Sequence, residues 1–255
     1  MQTITIFNQK GGVSKTTTTA ALCSGLSAKG YKVLAVDMDA QENLTIISDA
    51  QTEKGRPTIL DVLTRTATAE EAIIPANKYD IIPATERLAN ASNVITSTGK
   101  EYRLKEALKP IADKYDYAII DCPPALDILT IAALTASNSC IIPAQADYLT
   151  LKAIDQLAGT IQDIQTYTNQ ELKVNGILIT RHNARTILAG NIINEIEKQA
   201  EALHTSVYKA KIRECVAVRE AQLLRQDIFT YAKYSNAALD YMAFIDEFIS
   251  REKAQ

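Results

Sequence analysis

The sequence predicts a doubly wound α/β fold, with a mostly parallel sheet of about seven strands flanked by helices. Three observations carry that prediction. Short β-branched runs, apolar on both faces, recur along the chain, as strands covered from both sides require. Longer stretches of helical spacing alternate with them, as in repeated βαβ units. A glycine pair followed by Lys-Thr separates the first run from the first helical stretch, at the end of a strand where open α/β sheets bind ligands.

Taken in order, the runs at 3–7, 32–37, 80–82, 117–121, 139–143 and 174–180, and a weaker one near 206–210, are expected strands. Helical patterns begin near Lys15, Thr58, Ala69, Thr85, Lys100, Leu126, Thr150, Arg185, Val216 and Ser235. No repeat, low-complexity segment or polar linker interrupts them. The chain therefore reads as one domain spanning residues 1–255.

Composition excludes several function classes. At 47% hydrophobic and 22% charged residues, the 255-residue chain is no disordered segment. No run approaches ~18 apolar residues, so no membrane span is expected. The first residues lack a basic region and a cleavable apolar core, so no secretory signal is read there. A net charge of −3 argues against tail-driven nucleic-acid binding but leaves room for a local basic patch. Cys23, Cys122, Cys140 and Cys215 match no zinc or CxxC spacing and read as thiols of a reducing cytoplasm. Two histidines are too few for a histidine metal site, and no Trp with 4 Phe leaves no stacking platform.

The strongest local feature is Asn8-Gln9-Lys10-Gly11-Gly12-Val13-Ser14-Lys15-Thr16-Thr17. A strand, a glycine pair, Lys-Thr and a helix form the layout of a phosphate-binding P-loop, in which backbone N–H groups and a helix N-terminus cradle phosphate oxygens. Lys15 would reach the β- and γ-phosphates and the Thr16 hydroxyl would bind Mg²⁺. Gln9 and Ser14 occupy the two framing glycine positions of the strict motif. Two further runs end in acids, at Asp37-Met38-Asp39 and at Asp121-Cys122-Pro123-Pro124. Each alone reads as a solvated loop residue or a helix cap. Together with a P-loop they read as metal chemistry, with Asp121 holding Mg²⁺ mostly through water.

The extra lysine five residues before Lys15 makes the loop resemble the deviant Walker A pattern of the ParA/MinD family of P-loop ATPases, and nearly the whole chain takes part in the resemblance. The resemblance implies the P-loop NTPase fold, ATP and Mg²⁺ as ligands, and an ATP-dependent sandwich homodimer. It implies that Lys10 crosses the dimer interface to the partner's nucleotide. By the same carry-over, Asp39 positions the attacking water and Asp37 supports the Mg²⁺ shell. Ala40 and Glu42 stand where the family's first switch usually has Pro and Gly. With the P-loop beginning at residue 8, no preceding helix-turn-helix is expected.

Between residues 205 and 235, six bases face three acids, a net of +3 in a chain of net −3. Composition alone favours an ordinary solvated surface. The resemblance to ParA-type proteins implies non-specific binding of double-stranded DNA through C-terminal basic residues, and selects Arg213, Arg219, Arg225 and Lys233. It also implies a ParB-like centromere-binding partner that stimulates hydrolysis, and a cytoplasmic protein associated with the nucleoid when ATP-bound. The final helical stretch mixes acids and bases, which suits core packing and not an anionic membrane. Two other readings stand beside this one. They are an ATP-dependent small-molecule ligase of the same fold and a MinD-like positioning ATPase.

Overall fold

The computed structural model describes residues 1–53, 55–183 and 187–254, with the backbone alone considered at 187–189. The helix expected to start near Arg185 has that start outside the described residues. Its body, α9, runs Ile187–Ala202.

Seven strands form one sheet in the order β3-β4-β2-β5-β1-β6-β7. They are β1 (Gln2–Ile6), β2 (Val33–Asp37), β3 (Ile74–Pro75), β4 (Asp80–Ile82), β5 (Tyr117–Asp121), β6 (Ser139–Gln145) and β7 (Lys173–Thr180). All pairings are parallel except β3 with β4. The expected doubly wound class is therefore correct, with two changes of membership. The run at 206–210 is no strand; Val207 makes an isolated parallel bridge to Ile177. The seventh strand is β3, too short to show any period in the sequence. The two acidic strand ends also differ in placement. β5 lies directly beside β1, whereas β2 is one strand further out.

The helices cover both faces because strand side chains alternate. Leu34, Val36, Ala118 and Ile120 point to one face. They pack there against Leu60 and Leu63 of α3 (Ile59–Leu63), Leu104 and Leu108 of α6 (Arg103–Leu108), and Leu129 and Ala133 of α7 (Ile128–Ala136). Ile4, Ile6, Ala35 and Ile119 point to the other, against Leu22 and Leu26 of α1 (Lys15–Ala28) and Tyr241, Phe244 and Phe248 of α12 (Asn236–Ala254). The last helix is thus a core element, as its mixed charge predicted. Outer residues Ile142, Ile177 and Ile179 of β6 and β7 meet Ile154, Leu157 and Ile161 of α8 (Tyr148–Tyr167) and Ile196 of α9.

Local chemistry sets the helix starts. Thr68 and Glu71 form a capping box at α4 (Ala69–Ala72), and Thr58 with Asp61 does so at α3. Asp127 caps α7 and Asp147 caps α8, each accepting from N–H groups of the first turn. Near Thr85 and Lys100 the expected helices open as 3₁₀ turns, the first continuing into α5 (Ala91–Val94). Three short helices complete the set: α2 (Asn43–Ile47), α10 (Val216–Leu223) and α11 (Ile228–Tyr231). Among the described residues no helix is long and apolar enough to cross a membrane.

Candidate nucleotide site

Parallel register brings three strand ends level. Asp121 is paired with Ile6 of β1 on one side and with Asp37 of β2 on the other. The loop after β1 curls over these ends before entering α1. Ser14, immediately before α1, has φ 66°, and Gly12 has φ 76°. Left-handed backbone at Ser14 is strained for a residue with a Cβ, so the glycine it replaces is the less costly residue there. The loop is fastened from β6 and β7. Gln145 Nε2 donates to the Gly12 carbonyl at 2.8 Å and Thr180 Oγ1 to the Val13 carbonyl at 3.1 Å. Asn8 links both sides, donating to Pro143 O at 2.7 Å and accepting from the Lys10 amide at 2.8 Å.

The two lysines take different positions. Lys15 is 8% exposed and its ammonium donates to the Lys10 carbonyl at 3.0 Å. Burial lowers its pKa, while the carboxylate of Asp121 works in the opposite direction. Lys10 instead points to Asp147, whose Oδ2 lies 2.5 Å from its Nζ. Asp147, from the start of α8, was not selected from the sequence. It lies 137 residues from Lys10, and no local pattern marks the pair.

The three acids also separate. Asp121 is fully buried; its Oδ1 accepts from Thr19 Oγ1 at 3.2 Å and its Oδ2 has no hydrogen-bond partner. Burial pushes its pKa up to about 8, with Asp37 adding to the rise; Thr16 and Lys15 oppose it. The Thr16 hydroxyl is near enough to act on the carboxyl without reaching Oδ2 in hydrogen-bond geometry. An orphaned carboxylate oxygen in a dry site is a mismatch that a hydrated divalent cation relieves. The residues present therefore fit a Mg²⁺ held by Thr16 and, through water, by Asp121. Asp37 has donors on both oxygens: Thr45 N and Oγ1 at 2.8 Å each, and Asp39 N at 3.1 Å. Its pKa is raised to about 6 by burial, against the pull of those bonds. Asp39 faces the open cleft and accepts from the Gln41 amide at 3.0 Å. Among the described residues no group of three or more His, Cys, Asp or Glu could itself hold a metal.

A cleft of about 750 Å³ leads away from the loop. Gly11, Gly12 and Ser14 to Thr17 line it, together with Arg181, Arg213, Glu214 and Arg219. That volume suits a nucleotide-sized ligand. Of the basic residues selected for DNA, Arg213 and Arg219 therefore wall this cleft. Arg213 grips Asp240 through two hydrogen bonds, 2.8 and 2.6 Å long. Arg225 lies 3.5 Å from Asp49, and Lys233 sits 5.8 Å from the Tyr234 ring centre; neither lines the cleft.

A protein-family model described as "AAA domain" matches residues 1–174. The sporulation initiation inhibitor protein Soj of Bacillus subtilis (strain 168) is 38% identical over 247 residues, 96% of each chain. The chain belongs to the ParA/Soj family of P-loop ATPases. The chromosome partitioning protein ParA of Myxococcus xanthus (strain DK1622) is a further member, 33% identical over 98% of this chain and 88% of its own. Among solved structures, cobyrinic acid a,c-diamide synthase from Mycobacterium smegmatis, with bound ATP analog and magnesium, has a TM-score of 0.86 at 30% identity. The match covers 100% of this chain and 96% of that one. For a ParA/Soj chain, two departures acquire a structural meaning. Ser14 and Glu42 both stand where glycine is usual, and both have positive φ, 66° and 57°. The fold has kept the glycine-type turns and changed the residues. Glu42 is further held by accepting from the Glu86 amide.

Proposed function

We propose that this chain is a DNA-partitioning ATPase, a single ATPase domain over residues 1–255 that binds ATP with Mg²⁺, pairs with a second copy and then binds duplex DNA non-specifically. The observation that carries the reading is the second lysine, Lys10, at the rim of a formed phosphate loop in a relative of Soj and ParA. Phosphoryl transfer needs little covalent help from a protein; positioning and charge neutralisation do most of the work. The chain supplies both. Loop amides and the N-terminus of α1 face the phosphates, and Lys15 sits at the loop with a low-dielectric wall behind it. Thr16 and Asp121, with Asp37 behind them, would hold Mg²⁺, which would supply charge neutralisation. Asp39, exposed to the cleft, is placed to orient the attacking water.

In this reading Lys10 leaves Asp147 when two copies meet, and adds a positive charge at the partner's phosphates. Arg213, Arg219, Arg225 and Lys233 contribute to a DNA surface that pairing doubles. A ParB-like partner accelerates hydrolysis and releases DNA, so slow unstimulated turnover is expected. The site of action is the cytoplasm and nucleoid.

The test is ATP-dependent binding to random-sequence duplex DNA across a salt series. Arg225→Ala and Lys233→Ala, outside the cleft, separate DNA contact from nucleotide contact. Each is expected to weaken binding and make the salt slope shallower by roughly one unit. Binding indifferent to both ATP and salt rejects the proposal. ATPase activity raised by a small carboxylic acid and not by DNA would favour a ligase instead.

A further inference from the structure

Glu42 stands where glycine would be the relaxed residue, and its side chain has a task that glycine could not perform. Its φ is 57°, left-handed backbone that a Cβ makes costly. Strain of this kind persists only where surrounding contacts over-determine it, and it gathers at switch segments. One contact stands out here. Glu42 Oε1 accepts from the Glu86 amide, 44 residues away. Glu86 opens the 3₁₀ turn Glu86–Asn90 that follows β4, and Thr85 before it makes no capping bond through its side chain. Glu42 therefore satisfies the first donor of another element with a charge-assisted bond.

The same residue closes the turn that carries Asp39. Glu42 N donates to Asp39 O at 2.9 Å, and within the turn the Gln41 amide donates to Asp39 Oδ1 at 3.0 Å. Asp39, Gln41 and Asn43 line the nucleotide cleft, whereas Glu42 lines a different one with Thr85 and Arg87. Neighbouring residues of one turn thus face different clefts. Just beyond it, Thr45 Oγ1 donates to Asp37 at 2.8 Å and accepts from the Ala84 amide at 3.0 Å. Among the described residues, the bond to Glu86 is the only hydrogen bond that a side chain of residues 39–42 makes outside residues 37–45.

We infer that Glu42 is a positioning residue for Asp39: it tethers the turn to the segment after β4 and so holds the water-orienting carboxylate at the cleft before a nucleotide arrives. Glycine would give the same backbone without the tether. A carboxylate on an untethered turn spends less time in productive geometry, which lowers turnover and leaves ATP affinity alone. The inference rests on the role proposed for Asp39, and the experiment separates the two.

The experiment measures phosphate release over a range of ATP concentrations, with Mg²⁺, for wild type, Glu42→Gly, Glu42→Gln, Glu86→Pro and the double variant Glu42→Gly/Glu86→Pro. Glu42→Gly removes the tether. Glu86→Pro keeps the Glu42 carboxylate and removes the N–H it accepts from. Proline suits the first position of a helical turn, and Thr85 before it is already extended, at φ −153° and ψ 146°. Each single variant is expected to lose kcat roughly tenfold, the weight of one charge-assisted hydrogen bond, with KM for ATP unchanged. The double variant should lose no more than either single one, because both break the same bond. Glu42→Gln still offers an oxygen to the Glu86 amide and should retain most of the turnover. Glu42→Gly relieves left-handed strain, so its Tm should not fall with its activity; if it does not fold, Glu86→Pro carries the comparison. Unchanged or raised kcat in both single variants overturns the inference. So does a double variant whose loss is the product of the single losses, or a Glu42→Gln loss as large as that of Glu42→Gly. Undiminished turnover in Asp39→Ala overturns the role of Asp39 instead, and absence of turnover in wild type overturns the ATPase reading.

Discussion

Lys10 Nζ donates to Asp147 Oδ2, and Oδ1 of the same carboxylate accepts from the Thr150 amide at 3.0 Å, capping α8. One side chain thus holds both the signature lysine and the start of a 20-residue helix. Replacing Asp147 by Asn keeps a capping oxygen and removes the charge; replacing it by Ala removes both. Asp147→Ala is expected to lose about 1 kcal/mol, with Asp147→Asn close to wild type, in urea unfolding. If Lys10 acts across a dimer, Asp147→Asn also strengthens ATP-dependent self-association, read by sedimentation. Burial raises the Asp147 pKa, but Lys10 outweighs it and the net direction is downward. A carboxyl held low when folded stabilises the protein above its unfolded pKa, and that stability is lost as pH falls through the folded value. With this side chain 40% exposed, water screens most of that contribution. The acid limb of a Tm-against-pH curve should therefore flatten only slightly in Asp147→Asn.

Asp121 titrates in the opposite sense. Its folded pKa, about 8, lies above its unfolded value, so the nucleotide-free protein loses stability as pH rises from the carboxylate range through 8. Asp121→Asn removes that loss. The variant is expected to match or exceed wild-type Tm at pH 8.5 without ligand, and to lose the Mg²⁺-dependent part of nucleotide affinity. A variant less stable than wild type at pH 8.5 contradicts this account.

Lys15→Met tests the loop itself. The buried ammonium carries a desolvation cost that nucleotide phosphates offset. Without ligand, the Met variant should unfold at the same or higher urea concentration. Its nucleotide affinity should fall by at least ~100-fold, the effect of removing a charge-assisted contact to a phosphate. Calorimetric titration reads the second quantity.

Ser14→Gly removes a Cβ from left-handed backbone. It is expected to stabilise the chain by up to about 1 kcal/mol, with nucleotide affinity retained. A drop in affinity would assign the Ser14 hydroxyl a phosphate contact.

Gly176→Ala acts far from the site. A Cβ there would stand 2.5 Å from Tyr208 Cε2 and 2.7 Å from an Arg251 guanidinium nitrogen. Tyr208 is buried, bonded to Asn175 and stacked against Arg251 at 3.9 Å, so neither neighbour can withdraw freely. A loss of about 1–3 kcal/mol is expected, with the α12 amides losing exchange protection first.

The parts legible in the sequence were those that local chemistry writes down. Asp121 and Asp37 close buried, β-branched runs, so their place at strand ends followed from the runs. Lys15 and Thr16 opened a helix behind a glycine pair. What escaped was set by partners distant in the chain. The segment at 206–210 reads as a strand, yet only Val207 bridges β7, because the backbone turns away after two hydrogen bonds. β3 is two residues long and exists only because β4 offers it a ladder. Lys10's partner Asp147 comes from a separate segment, brought to it only by the fold. Arg213 and Arg219 counted as basic surface; the cleft that encloses them appears only once α10 is tied to Thr17.

The flanks of the sheet have a consequence for how copies of this chain can meet. At one side β3 ends on Pro75, which has no N–H to offer. At the other, Ile177 and Ile179 of β7 already exchange hydrogen bonds with Ser206, Tyr208 and Ile212. Both borders are thus blunted against pairing with a further strand. Association of copies is then left to side chains and loops, among them the loops that carry Lys10 and Asp39. A chain built this way can reach high local concentration without fusing into fibres.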